Sequence, residues 1–256
     1  MPRRSETRPG LFSGEADGFS GRSTTGIDSE VFQQRLNRQR RLFRQINHGY
    51  RPHFDRLVNS GLHAELTAEG LLVPHQEADV AAHAPALSYK IIEPAPTPFL
   101  SYPYEWCFGQ LKAAALLTLE LQRRAFDRGM TLKDASAFNV QFLGGRPVFI
   151  DTLSFEIYRE GEPWVAFRQF CEHFLGPLAM LSRVHFRLGE LLRSNSDGVP
   201  LDLASKVLPS RAWFRPSLLI HVHLHAQAKP KFQAIFRRKP RCPKHLTSFL
   251  SRKCSH

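Results

Sequence analysis

Residues 129–152 decide the fold: Gly129-Met-Thr-Leu-Lys-Asp-Ala-Ser-Ala-Phe-Asn-Val-Gln-Phe-Leu-Gly-Gly-Arg-Pro-Val-Phe-Ile-Asp-Thr152. Val140 to Leu143 and Pro147 to Ile150 are short apolar runs. Between them, Gly144-Gly145 supplies two residues free to adopt positive φ, as a tight hairpin turn demands. Three polar residues surround this hairpin. Asp134 precedes it, Asn139 stands five positions later at its start, and Asp151 closes its second strand. Upstream, Phe108 to Arg128 is rich in Ala, Leu, Gln and Glu, lacks Pro and stops at Gly129, so a long helix is expected there. Leu111, Ala114, Ala115, Thr118, Leu119 and Gln122 recur at helical spacing and mark its buried side.

A hairpin returns both its ends to one edge, so this order brings Asp134, Asn139 and Asp151 together. Phosphoryl transfer to a hydroxyl needs a carboxylate to orient or deprotonate the acceptor, and two oxygen ligands to hold magnesium over the nucleotide phosphates. Asp134-Ala-Ser-Ala-Phe-Asn139 resembles the D-x-x-x-x-N loop of the protein-kinase-like and aminoglycoside-phosphotransferase-like fold, and Ile150-Asp151 its metal-binding aspartate. The resemblance implies an α+β, two-lobe domain: an N-terminal helix and small strand-rich lobe over 29–106, and a larger helical lobe over 107–228. It implies Mg2+ and ATP as cofactors, Asp134 as base or acceptor-orienting group, Asn139 and Asp151 as metal ligands, and Lys133 as a phosphate contact. The same residues also admit a plainer reading, in which Asp134 caps a turn that Asn139 stabilises through side-chain to backbone hydrogen bonds.

The sequence departs from that pattern in several places. Leu132 and Lys133 stand where the fold has His and Arg, Thr152-Leu153 stands where it has Phe-Gly, and no G-x-G-x-x-G loop precedes residue 100. Lys90 is alone among charged groups in the strand-like run Leu87-Ser-Tyr-Lys-Ile-Ile92. It is the candidate for the lysine that pairs the nucleotide phosphates, with Glu105 as its carboxylate partner; an exposed strand lysine accounts for it equally.

Outward from this centre, residues 1–28 are rich in Gly, Ser, Thr and Arg and read as a flexible leader. Val31, Phe32, Leu36, Leu42, Phe43 and Ile46 are spaced as on a helix from Asp28 to about Asn47. Residues 50–106 read mainly as strands and turns, including the apolar run Gly70-Leu-Leu-Val-Pro74, with Pro94, Pro96 and Pro98 forcing an extended connection. Helical stretches follow the hairpin at Trp164 to Leu181, Val184 to Arg193 and Ser217 to Ala228. His221-Val-His-Leu-His225 invites a metal reading, but a helix would splay these side chains apart.

Composition narrows the classes. At 256 residues, 42% hydrophobic and 23% charged, the chain has ample material for a globular core. Its longest apolar stretch, Ala113 to Leu119, is far short of the roughly 20 residues a membrane span needs. The N-terminus has no apolar segment behind its arginines, so no secretory signal is expected. Cys107, Cys171, Cys242 and Cys254 show no C-x-x-C spacing, and a cytoplasmic location follows. The net charge of +12 is local. No acid occurs after Asp202, beyond which 12 of the 35 Lys and Arg lie, so the first 202 residues balance 23 bases against 23 acids. Nucleic acid is therefore not an expected partner except through the tail.

A second resemblance runs from about residue 30 to 228. Ser101-Tyr-Pro-Tyr-Glu-Trp106, Leu132-Lys-Asp-Ala-Ser136, Asn139-Val-Gln-Phe142, Phe149-Ile-Asp-Thr-Leu-Ser-Phe155 and Arg168-Gln-Phe-Cys171 carry it. They are similar to bacterial proteins of the class I S-adenosylmethionine-dependent methyltransferase family, which includes nodulation proteins. That resemblance implies methyl transfer, but by a Rossmann-like domain downstream of this region, so S-adenosylmethionine is expected only with that domain present. Gly144-Gly145, flanked by Leu143 and Arg146, is no acidic-Gly-x-Gly turn. Residues 229–256 hold nine Lys and Arg, two Cys and three Pro without an acid. They read as a solvated extension, as a phosphate-contacting arm, or, preferred, as a truncated or frame-shifted end. The expected function is a transferase-family module with a kinase-like Mg-ATP site and a sugar or glycolipid hydroxyl as acceptor. Its rivals are a non-catalytic pseudokinase-like scaffold for a methyltransferase domain or partner, and a basic nucleic-acid-binding protein.

Overall fold

The computed structural model describes residues 33–36 and 41–227; the leader and the basic tail lie outside them. The first elements are strands β1 (Gln33–Leu36) and β2 (Arg41–Asn47), which pair antiparallel. A helix was expected here. Phe43, Arg44, Gln45 and Ile46 are buried in succession. A strand covered on both faces loses the alternation that identifies strands in sequence, and its apolar positions then fit a helical period by default.

Two helices follow where strands were expected, α1 (Arg51–Asn59) and α2 (Leu62–Ala68). Pro52 lies in the first turn of α1, where a missing N–H removes no helical bond. Phe54 and Leu57 are buried one turn apart, as are Leu62 and Leu66. Gly61 separates the helices with φ of 76°, a conformation that favours glycine. Strands β3 (His75–Glu77) and β4 (Ser88–Pro94) complete a four-stranded antiparallel sheet in the order β1-β2-β4-β3. Arg44 lies opposite Ile92 and Ile46 opposite Lys90, so these four residues share one face. Ile46, Phe54, Ile92 and Leu153 form a small core beneath it.

Helix α3 (Phe108–Asp127) matches its expected extent, and all six residues assigned to its inner side are buried. Arg124 binds Glu65 and Glu69, and Arg128 binds Glu65, tying α2 to the end of α3. The chain then runs through β5 (Met130–Leu132), β6 (Val140–Leu143), β7 (Arg146–Phe149) and β8 (Phe155–Ile157). β6 and β7 form the expected hairpin, with φ of 57° at Gly144 and 81° at Gly145, while β5 pairs antiparallel with β8. Leu72, in the apolar run before β3, bridges Phe149 in parallel. The bridge bonds are Val73 N–H to Phe149 O at 2.8 Å and Phe149 N–H to Leu71 O at 2.9 Å.

The remainder is helical: α4 (Phe167–Phe170), a π-helical turn at Cys171–Leu175, α5 (Gly176–Arg183), α6 (Leu191–Ser194) and α7 (Leu201–Val207). Helix α8 (Pro216–Leu218) continues through a π-helical stretch, Leu219–Leu224, into α9 (His225–Gln227). Here the three alternate histidines diverge. His221 and His225 pack on Phe167, whereas His223 stacks on Trp213 and its Nδ1 meets Ser205 Oγ at 2.7 Å. One large apolar cluster joins these helices to α2, α3 and β5–β8, giving an α+β architecture of helices and small antiparallel sheets. Among the described residues, no helix is long and apolar enough to cross a membrane.

His173 is 1% exposed, and burial pushes its pKa down to about 4; His75 is likewise pushed down to about 4 by burial and by neighbouring His63. An unfolded imidazole titrates near 6.5, so between pH 6.5 and 4 the unfolded chain takes up protons that the folded one refuses. Stability is therefore full above pH 6.5 and lost as pH falls to 4. The urea midpoint should drop across that window, and less steeply in His173→Gln; equal slopes would contradict the assignment.

Candidate functional site

The loop from β5 to β6 is held by its backbone. Leu132 N–H donates to Gln122 Oε1 at 2.8 Å, and Leu132 C=O accepts from Trp164 Nε1 at 2.7 Å. Gln122 also donates to Thr131 Oγ1 at 3.0 Å. One residue on, Lys133 N–H donates to Ser154 O at 2.8 Å, and Ala135 N–H to Gln169 Oε1 at 2.7 Å. Buried amides require such partners, and here α3, α4 and the segment after Asp151 supply them. The loop is thus anchored at Leu132 through its backbone.

The loop and the hairpin bring Lys133, Asp134, Asn139 and Asp151 to one region. Asp134 Oδ1 accepts from Ser136 N–H at 2.9 Å, the turn-capping bond that its residue type favours. Asn139 C=O accepts from Ile150 N–H at 2.8 Å, closing the hairpin base, and Asn139 Nδ2 reaches Ser154 Oγ at 3.4 Å. Both oxygens of the Asp151 carboxylate, whose side chain is 21% exposed, accept hydrogen bonds. Oδ1 accepts from Arg44 Nη1 and from Leu153 N–H at 3.3 Å, and Oδ2 accepts from the Ser154 hydroxyl. Ser154 therefore links Asn139 to Asp151.

Electrostatics concentrate at this point. The Arg44 side chain is 8% exposed, and its Nε is buried without a hydrogen-bond partner. Lys133 Nζ lies 4.5 Å from the centre of the Tyr50 ring. Burial pushes the Lys133 pKa down against the opposing pull of Asp151, Glu156 and Asp134. The Tyr50 hydroxyl donates to Phe155 O, and burial, aided by Asp151 and Glu156, holds its pKa well above the ordinary value. Glu156 is pushed up by burial, with Lys133 and Arg159 opposing.

Lys90 and Glu105 are placed elsewhere. Lys90 Nζ donates to Glu77 on the neighbouring strand β3, while the Glu105 carboxylate accepts from Tyr102 N–H at 2.8 Å and closes a turn ahead of α3. The expected Lys90–Glu105 pair does not form, because an acid on the adjacent strand is nearer to the lysine. The cation that does reach Asp151 is Arg44. It too is a charged residue inside a partly apolar run, Leu42-Phe-Arg-Gln-Ile46, so the criterion that selected Lys90 would have selected it had β2 been recognised. Tyr50 and Ser154 carried no separate signal. Among the described residues, no group of three or more His, Cys, Asp or Glu is arranged to hold a metal ion.

No family model matches the chain. Over 170 residues it is 41% identical to Nodulation protein NoeA of Rhizobium meliloti (strain 1021). The matched region is 64% of this chain and 35% of that protein, so it spans about a third of its relative's length. This ties the chain to a nodulation-related protein.

Gln122→Met removes the partner of a buried amide and of a buried hydroxyl, each of which is costly to leave unpaired. It should destabilise the fold by about 1–3 kcal/mol in urea unfolding. A loss under about 0.5 kcal/mol would show that Leu132 needs no such anchor.

Proposed function

We propose that this chain is a kinase-like, two-lobe module that binds ATP and transfers its terminal phosphoryl group to a hydroxyl. The observation that carries this reading is the convergence of Arg44, Lys133, Asp134, Asn139 and Asp151 around the β5–β8 and β6–β7 pairings. Two cations beside three oxygen-bearing side chains suit a polyphosphate and an acceptor hydroxyl.

Asn139 and Asp151 offer hard oxygen donors of the kind magnesium takes. As arranged, however, Arg44, Leu153 N–H and Ser154 occupy the Asp151 oxygens. The residues do not fit a bound magnesium ion, and no step is assigned to one. In the proposed reaction Lys133 and Arg44 neutralise phosphate charge, and Asp134 orients the acceptor and takes its proton. The acceptor oxygen bonds the γ-phosphorus as the bond from that phosphorus to the β,γ-bridging oxygen breaks, and ADP leaves. The proposed acceptor is a sugar or glycolipid hydroxyl. Free thiols at Cys107 and Cys171 accord with a cytoplasmic setting.

A non-catalytic scaffold is the second reading, favoured by the same engagement of Asp151. S-adenosylmethionine belongs with a glycine turn between strand and helix. Gly144-Gly145 instead joins β6 to β7.

Thermal unfolding of the full chain tests the proposal. ATP at 100 times its dissociation constant should add about 2.7 kcal/mol. Lys133→Met should abolish that shift, while Asp134→Asn should keep it and lose ADP formation with a glycolipid acceptor. Stabilisation by S-adenosylmethionine alone would refute the proposal, and no shift with either ligand would favour the scaffold.

A further inference from the structure

At Asp151 the expected chemistry and the observed contacts part. A metal-binding aspartate turns an oxygen to the ion, yet here one carboxylate oxygen already faces a cation and the other accepts from a hydroxyl. We infer that Arg44 takes the place of a divalent cation at Asp151, so that a fixed guanidinium stands where the ion would and the site binds phosphate-bearing ligands without metal. The ligand class rests on the kinase-like reading; the exclusion of metal does not.

Three features carry the inference. First, Arg44 comes from the middle of a strand covered on both faces, and its side chain is more than nine-tenths buried. A guanidinium stays ionised at any pH a protein survives. A divalent ion at Asp151 would compete with this buried cation for its counter-charge and set like charges side by side, which is unfavourable. Secondly, the Asn139 side chain is joined to Asp151 through the Ser154 hydroxyl, which occupies the bridging position between them. Thirdly, Arg44 Nε is a buried donor without a partner. An unspent N–H on a cation beside a polar cluster suits an anionic oxygen.

The inference separates two roles that a metal normally combines. Arg44 supplies the positive charge, with a flat guanidinium suited to phosphate oxygens. Asp151 holds Arg44 in place and aimed, and so acts as a positioning residue with no contact to the nucleotide. Substitution of Arg44 should unmask a metal site that the native chain lacks.

Direct Mn2+ binding to the full chain, followed by the electron paramagnetic resonance of free Mn2+, tests this without any nucleotide. Native protein and Asp151→Asn should bind Mn2+ alike. Arg44→Gln should gain at least tenfold in affinity, and Arg44→Gln/Asp151→Asn should lose that gain. A tenfold loss on Asp151→Asn in the native background overturns the inference, and that comparison needs no Arg44 variant to fold. A folded Arg44→Gln with no gain overturns it as well. In parallel, ATP affinity should agree within twofold in EDTA and in Mg2+; binding seen only with Mg2+ counts against the inference. If ATP fails to bind under both conditions, the kinase-like reading falls, and the Mn2+ comparison still decides the role of Arg44.

Discussion

The ion pair between Arg44 and Asp151 joins residues 107 positions apart and fixes how the sheet meets the hairpin. It brings the inner face of β2 against the end of the hairpin, and Leu153, two residues beyond Asp151, enters the small core with Ile46, Phe54 and Ile92. Hydrophobic burial alone would tolerate a shift of one element over the other. A buried cation and a partly buried carboxylate tolerate it far less, because the cation loses its compensation when the carboxylate moves away. The pair therefore fixes the relative position of β2, α1 and the segment after the hairpin. Tyr50 adds a second tie from the same side, through its bond to Phe155 O.

The loop from β5 to β6 depends on a different device. Its backbone is clamped between Gln122 on α3, Trp164, Gln169 on α4 and Ser154. These anchors surround Leu132, Lys133 and Ala135, while the Lys133 side chain lies over Tyr50 and the Asp134 carboxylate caps the turn at Ser136. Rigid support by helices, with charged groups borne on a short loop, is the arrangement that precise placement of a reactive group requires. Lys133 shows the consequence: held over Tyr50 and partly buried, it is less basic than a surface lysine even among three carboxylates.

Elements governed by local signals were legible in the sequence. Gly144-Gly145 named the hairpin because only residues tolerant of positive φ make that turn, and α3 showed its inner face by spacing alone. The first hundred residues were less so. β2 is buried on both faces, so its pattern carried no period of two, and α1 and α2 are short helices whose apolar residues come in pairs. Missing β2 meant missing Arg44, whose role depends on a contact with a residue far along the chain. Lys90 was chosen for being a lone charge in an apolar run, but strand pairing gave it Glu77 as a partner. The grouping of Asp134, Asn139 and Asp151 followed from hairpin geometry; the occupation of Asp151 by Arg44 and Ser154 did not, because it depends on tertiary packing.

The most direct test of this account is a double-mutant cycle between Arg44 and Asp151, read by urea unfolding of Arg44→Met, Asp151→Asn and the double variant. Breaking a buried pair from one side leaves the other charge uncompensated, so each single change should cost about 3 kcal/mol and the double little more than either. The coupling between the two should be about 2 kcal/mol or more. A coupling below about 0.5 kcal/mol, with the two losses simply adding, would mean that the pair does not hold the sheet to the hairpin, and the site built around it would have to be abandoned.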